Sequence, residues 1–179
     1  MVKILFVVSV LTQLVVGLNF PKYYTEPIPK KKKGVERIIC VGDSVTYGLG
    51  VENARNGSYP AHLERILNRE SPGDFEVINF GLPGSTIRKD TDYPYWHTRI
   101  FNKSLEAEPD IVLLLFGTND AKDFNWDEDK FRQDYFDIAH EYKDLKPQPK
   151  IFIMAPPPAN GKFNGVDPEL VNNHMLRIT

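Results

Sequence analysis

RIICVGDSVTYGLG, residues Arg37–Gly50, opens with the apolar run Ile38, Ile39, Cys40 and Val41 and then turns abruptly polar and glycine-rich. A short apolar run bounded by glycine reads as a buried strand. Gly42-Asp43-Ser44 then falls where the strand ends and a helix can begin. A hydroxyl at that edge faces helix-terminal N–H groups that have no partner within the helix and that favour negative charge. A serine nucleophile needs those conditions, because its attack creates an oxyanion. Taken alone, Asp43-Ser44 serves equally well as an ordinary helix cap.

Two later stretches repeat the pattern. Asn79-Phe80-Gly81-Leu82-Pro83-Gly84-Ser85-Thr86 follows the apolar pair Val77-Ile78, and Gly117-Thr118-Asn119-Asp120 follows Ile111–Phe116. Three such edges side by side converge on one crevice at the carboxyl ends of parallel strands. In order they present Ser44, Gly84 and Asn119. In these three blocks the chain resembles the SGNH hydrolases, also called the GDSL esterase/lipase family.

The resemblance covers roughly Glu36 to Pro158. It implies a flavodoxin-like three-layer α/β/α sandwich with a parallel sheet. It also implies Ser44 as nucleophile and an oxyanion hole made by the Ser44 and Gly84 backbone N–H groups and the Asn119 amide. Asp43 would orient the Ser44 turn and Asp120 would brace Asn119. No metal or organic cofactor is implied.

The resemblance does not reach the family's final Asp-x-x-His block, so the catalytic His and Asp are expected beyond residue 179. The sheet is accordingly expected to lack its last strand and helix, and the chain as given to be poorly active. Asp137-Ile138-Ala139-His140 matches Asp-x-x-His literally but falls inside a predicted helix ahead of the fourth strand. His174 comes before the expected position. The rival to an esterase is a non-catalytic protein that holds a sugar or a partner in the same crevice.

The 179 residues fit one domain, and 41% hydrophobic with 26% charged residues supports a globular core. A net charge of −2 and a pI near 6.1 give no reason to expect nucleic acid or an anionic membrane as partner. The single cysteine, Cys40, excludes an intrachain disulfide and reads as a small buried residue.

Met1–Gly17 carries one early lysine and an interrupted apolar run, too short for a comfortable membrane span. It is expected to be a secretory signal peptide, making the protein secreted with no stable membrane insertion. Residues 18–34 read as a Pro/Lys-rich linker ending in the solvated run Lys30–Lys33, and 35–179 as the hydrolase domain. Gly48-Leu49-Gly50 lacks the third glycine of a dinucleotide fingerprint.

Further strands are predicted at Phe75–Phe80, Ile111–Phe116 and Lys150–Ala155. Helices are predicted around Pro60–Leu67, in Thr91–Ala107 after Pro94, over Asp127–Leu145, and from Asp167-Pro168. His62, on the first of these helices, reads as a surface or half-buried residue with no catalytic part. Tyr93, Tyr95, Trp96 and Trp126 offer faces for stacking on sugar rings, although aromatics at such spacing are more often packing. The aromatic stretches and Ala155-Pro156-Pro157-Pro158 resemble carbohydrate O-acetylesterase members, including sialate-O-acetylesterase-like proteins. An O-acetylated sugar is therefore the expected substrate class. Asn56 and Asn102 head glycosylation sequons.

Overall fold

Strand β1, Glu36–Gly42, forms around the apolar run Ile38–Val41, whose side chains are all buried. A strand with both faces covered is what a continuous apolar run specifies. The computed structural model describes residues 27–175; the expected signal peptide and the start of the linker lie outside them. β1 pairs in parallel with β2, Phe75–Gly81, on one side and with β3, Ile111–Leu115, on the other. β4, Lys150–Ile153, adds to β3, also in parallel, so the order is β2-β1-β3-β4.

Side chains alternate across this sheet. Ile39, Val41, Phe80, Val112 and Leu114 join one core cluster with Phe101, Phe131, Tyr135, Ile138 and Tyr142. The last five come from α4, Arg99–Leu105, and α5, Glu128–Lys143. Those helices touch through Phe101 and Tyr142, ring centroids 6.2 Å apart, and through Ser104 Oγ to Tyr142 Oη at 2.6 Å.

Helix α3, Tyr59–Glu70, serves the other side. Its Asn68 donates to Phe75 O at 2.9 Å, and its Glu64 accepts from Val77 N at 3.2 Å. Groups on the outer edge of β2 are thus met by side chains, which blunts a strand that would otherwise invite pairing. Two short helices, α1 at Ser44–Tyr47 and α2 at Ala54–Gly57, precede α3. The result is the expected α/β/α layering with a four-stranded parallel sheet. Among the described residues no helix is long and apolar enough to cross a membrane.

Two expectations need correction. The helix expected after Pro94 is a 3₁₀ turn, Tyr95–His97, followed by α4. The break is Thr98, whose extended backbone and hydroxyl, accepting from Phe101 N, make it a new N-cap. The segment from Pro168 is helical as expected, with Leu170–His174 wound as one wide π turn. Lys30–Lys33 is not wholly solvated: Lys31 Nζ lies 2.6 Å from Asp110 and donates to Glu108 O. Nearby, Pro29 O accepts from Arg37, so this end of the linker is docked under the sheet.

Candidate active site

The chain leaves β1 toward β2 on one side and later returns to place β3 on the other. In open α/β sheets, the place where the order reverses, outside the strands' carboxyl ends, is where ligand crevices form. Ser44 begins α1 directly after β1 and is half-buried. Asp43 caps it, accepting from Val45 N at 2.8 Å.

Glycines let α1 sit flush on the strand ends. A Cβ at Gly42 would stand 2.2 Å from Thr46 Oγ1 and 2.4 Å from Leu115 O, and one at Gly81 would stand 2.2 Å from Tyr47 N. Asn79 completes the seat: its Nδ2 donates to Thr46 O at 2.8 Å and its Oδ1 accepts from Gly81 N at 2.9 Å.

Gly84 follows β2 with φ +85°, a left-handed conformation that glycine adopts without a Cβ penalty. Asn119 follows β3, buried, and donates from Nδ2 to Ser85 O at 3.0 Å. The amide carries two N–H donors, so this bond fixes its direction and leaves a second proton for a ligand. Asn119 O in turn accepts from Asn125 Nδ2 at 3.0 Å.

Asp120 does not brace Asn119 through its side chain as expected. Its carboxylate accepts from the backbone N–H groups of Ile87 and Arg88, both at 3.0 Å. It holds the loop that carries Gly84, and it links the second and third blocks. Burial pushes its pKa up to about 6 while those N–H groups oppose the rise.

Asp43 is more perturbed. Burial pushes it up to about 7; the Val45 N–H opposes this, and the neighbouring Asp120 charge adds to it. Thr118 also favours the charged form, yet neither Asp43 Oδ2 nor Thr118 Oγ1 has a partner at hydrogen-bonding geometry. Two carboxylates in one dry site disfavour ionising both.

The arrangement carries Ser44, Gly84 and Asn119 on three loops, each following a strand, at one sheet edge. Attack on an ester carbonyl requires a nucleophile and N–H donors to be gathered in one place. A nucleophilic serine also needs a base. Among the described residues none of the four histidines is hydrogen-bonded to Ser44. His62 and His97 are exposed. His140 lies on the solvent face of α5, its ring 4.0 Å from Phe136, and Asp137 pairs with Lys89 at 2.5 Å. The literal Asp-x-x-His is therefore a surface feature. His174 lies 3.6 Å from Glu128 at the start of α5.

A family model described as "GDSL-like Lipase/Acylhydrolase family" matches residues 40–177. The chain belongs to the GDSL-like lipase/acylhydrolase family. An acetylxylan esterase of Xylanibacter ruminicola is 34% identical over 174 residues, covering 87% of this chain and 35% of that protein. The chain thus spans about a third of the length of this relative.

Among solved structures, a carbohydrate acetylesterase family member from Sinorhizobium meliloti superposes with a TM-score of 0.58 at 20% identity. It covers 73% of this chain and 67% of its own. A two-domain esterase active on acetylated mannans gives 0.58 at 23% identity, over 80% of this chain and 36% of its own. Both establish the shared fold.

Of the four aromatics noted in the sequence, three are engaged in packing. Tyr95 is buried and donates to Phe80 O at 2.8 Å. The Trp96 indole donates to Ile87 O at 2.7 Å, with Lys89 Nζ 4.3 Å from its ring centroid and Phe101 beside it. Trp126 packs on Phe131 at 5.4 Å. Tyr93 is exposed, and its Cδ1 stands 3.7 Å from where a Gly84 Cβ would be. Asn56 and Asn102 are both exposed.

Sequence reading missed Asn79, Asn125 and Arg88, which build the site's scaffold. Arg88 donates to Asn125 O and pairs with Asp90. Only the Asn79-Phe80-Gly81 placement at a strand end carried a usable signal, since an Asn there can bond its own backbone two residues on.

Proposed function

We propose that the protein is a secreted serine ester hydrolase that removes small acyl groups, acetyl foremost, from carbohydrate. The observation that supports this is that Ser44, Gly84 and Asn119 each follow one of three adjacent parallel strands, on loops cross-tied by Asp120 and Asn79. The family supports ester chemistry, and the relative named as an acetylxylan esterase supports the acetyl–carbohydrate pairing.

In this reading Ser44 Oγ attacks the acetyl carbonyl carbon and its proton passes to an imidazole base. The carbonyl oxygen becomes an oxyanion held by the Ser44 and Gly84 N–H groups and by Asn119 Nδ2. Collapse expels the sugar hydroxyl, which takes the proton, and leaves acetyl-Ser44. Water, deprotonated by the same base, then attacks acetyl-Ser44; the acyl C–Oγ bond breaks, the base returns the proton to Ser44 Oγ, and acetate leaves.

The lack of any hydrogen-bonded base on Ser44 among the described residues favours a second reading, a sugar-binding protein without turnover. One experiment separates the two. The complete gene product is assayed for acetate release from acetylated xylan and from p-nitrophenyl acetate, alongside Ser44→Ala. The esterase reading expects Ser44→Ala to lower kcat by roughly 10⁴-fold or more. No acetate release by the wild type, together with intact binding to xylan, would establish the binding protein instead.

A further inference from the structure

Exposed aromatic rings are ordinary when scattered singly; grouped beside a crevice they mark a contact surface. Tyr93, Phe124 and Phe163 are 44%, 69% and 74% exposed. Tyr93 stands against Gly84. Its backbone is fixed, because Tyr93 O accepts from Thr86 N at 3.0 Å and from Thr86 Oγ1 at 3.2 Å. The next residue along, Asp92, accepts from Asn125 Nδ2 at 2.8 Å and lies 3.7 Å from Lys122 Nζ.

Lys122 in turn lies 5.7 Å from the centroid of the Phe124 ring. Phe124 and Lys122 border Gly165, 4.0 Å from where its Cβ would be. Phe163 joins the same strip, since Val166 bridges both Phe163 and Lys122, and Asp167 N donates to Ala121 O at 2.8 Å. The rim thus runs from the loop carrying Gly84, across the loop carrying Asn119, to residues 163–167.

We propose that this rim is a platform for the backbone of an acetylated polysaccharide, with Tyr93, Phe124 and Phe163 each lying under a sugar ring. The proposal rests on the esterase reading above and extends it from the acetyl group to the polymer that carries it. The chemistry favours a sugar chain over a lipid. The C–H face of a pyranose lies flat on an aromatic ring by apolar burial and dispersion, while its edge hydroxyls need polar partners. Here the charged groups Asp92, whose side chain is exposed, and Lys122, partly exposed, lie between the rings. An acyl chain would have to desolvate those groups without compensation. Tyr93, next to Gly84, takes the sugar nearest the ester, and the two phenylalanines take sugars further along.

The test uses the complete gene product and the double variant Phe124→Ala/Phe163→Ala. The quantity read is kcat/KM on acetylated xylan divided by kcat/KM on p-nitrophenyl acetate. This ratio is expected to fall about tenfold or more, given the apolar area two rings contribute, and Phe124→Trp/Phe163→Trp is expected to restore it. In native gels cast with soluble xylan, retardation of Ser44→Ala is expected to weaken when the two phenylalanines are removed.

An unchanged ratio with both substrates turned over would overturn the platform and leave the esterase reading standing. Loss confined to a long-chain p-nitrophenyl ester would also overturn it, in favour of a lipid. If the wild type releases acetate from neither substrate, the esterase reading fails. Gel retardation that depends on the two rings would then support the platform, and retardation unaffected by their removal would overturn it.

Discussion

Asp43 has two duties that pull in opposite directions. As a cap it must accept from Val45 N, and as a carboxyl in a dry pocket beside Asp120 it resists ionisation. Its pKa is raised to about 7 in the folded chain from an ordinary 3.8. The unfolded chain loses this proton near its ordinary value, and the folded chain keeps it until about pH 7. Between those limits the folded state binds more protons, so stability falls as pH rises through the window. Asp120, raised to about 6, acts with the same sign. Asn at position 43 can still cap through its Oδ1, since Asn and Asp are comparable caps, but it does not titrate. Asp43→Asn is therefore expected to flatten the decline of Tm between about pH 4 and pH 7, leaving the part due to Asp120. Parallel Tm–pH curves for wild type and variant would show that the Asp43 proton is not coupled to folding.

At the scale of elements, α1 is only one turn long and holds its place by fit. The sites of the missing Cβ atoms at Gly42 and Gly81 are filled by Thr46, Leu115 and Tyr47, largely through backbone atoms that cannot step aside. Gly81→Ala is expected to push α1 off the sheet and to cost about 1–3 kcal/mol, the usual range for overpacking. In the complete gene product it should also abolish labelling of Ser44 by a fluorophosphonate. Gly57→Ala, whose Cβ would meet Val51 at 3.4 Å, should do neither. Full labelling and an unshifted urea midpoint for Gly81→Ala would mean that the seat tolerates a methyl group.

The strands and their ends were legible because apolar runs bounded by glycine are a local signal, and the three site blocks sit at those ends. The 3₁₀ turn before α4 was not, since Tyr95 and Trp96 are fixed by Phe80 O and Ile87 O, partners distant in sequence. Trp96 looked like a binding residue for the same reason. Its packing partners Lys89 and Phe101 are known only from the fold, whereas Tyr93, two positions from Tyr95, emerges on the opposite, open side.

Across the whole molecule the sheet is held differently at its two ends. The carboxyl end carries the crevice and its cross-tied loops. The amino end is gathered by Arg37, which is 1% exposed. Its guanidinium donates to Glu76 at 2.7 Å, to Ala107 O at 2.6 Å and to Pro29 O at 2.7 Å, joining β2, the loop before β3 and the linker. Its own backbone N–H donates to Asp110 at 2.7 Å. A charged residue opening a strand reads as solvent-facing in sequence, so this anchor was invisible there. A planar fork of donors suits several acceptors at once, which a point charge does not. Arg37→Met keeps the apolar stem but strands Glu76 and two carbonyl oxygens, and breaking a buried pair in this way costs roughly 3–5 kcal/mol. The urea midpoint is expected to fall accordingly, with Arg37→Lys recovering only part of the loss. Because Arg37 lies at the end of β1 opposite Ser44, KM for p-nitrophenyl acetate below the unfolding transition should stay near that of the wild type. A raised KM with an unshifted urea midpoint would place Arg37 in communication with the crevice and refute its role as the anchor of the far end.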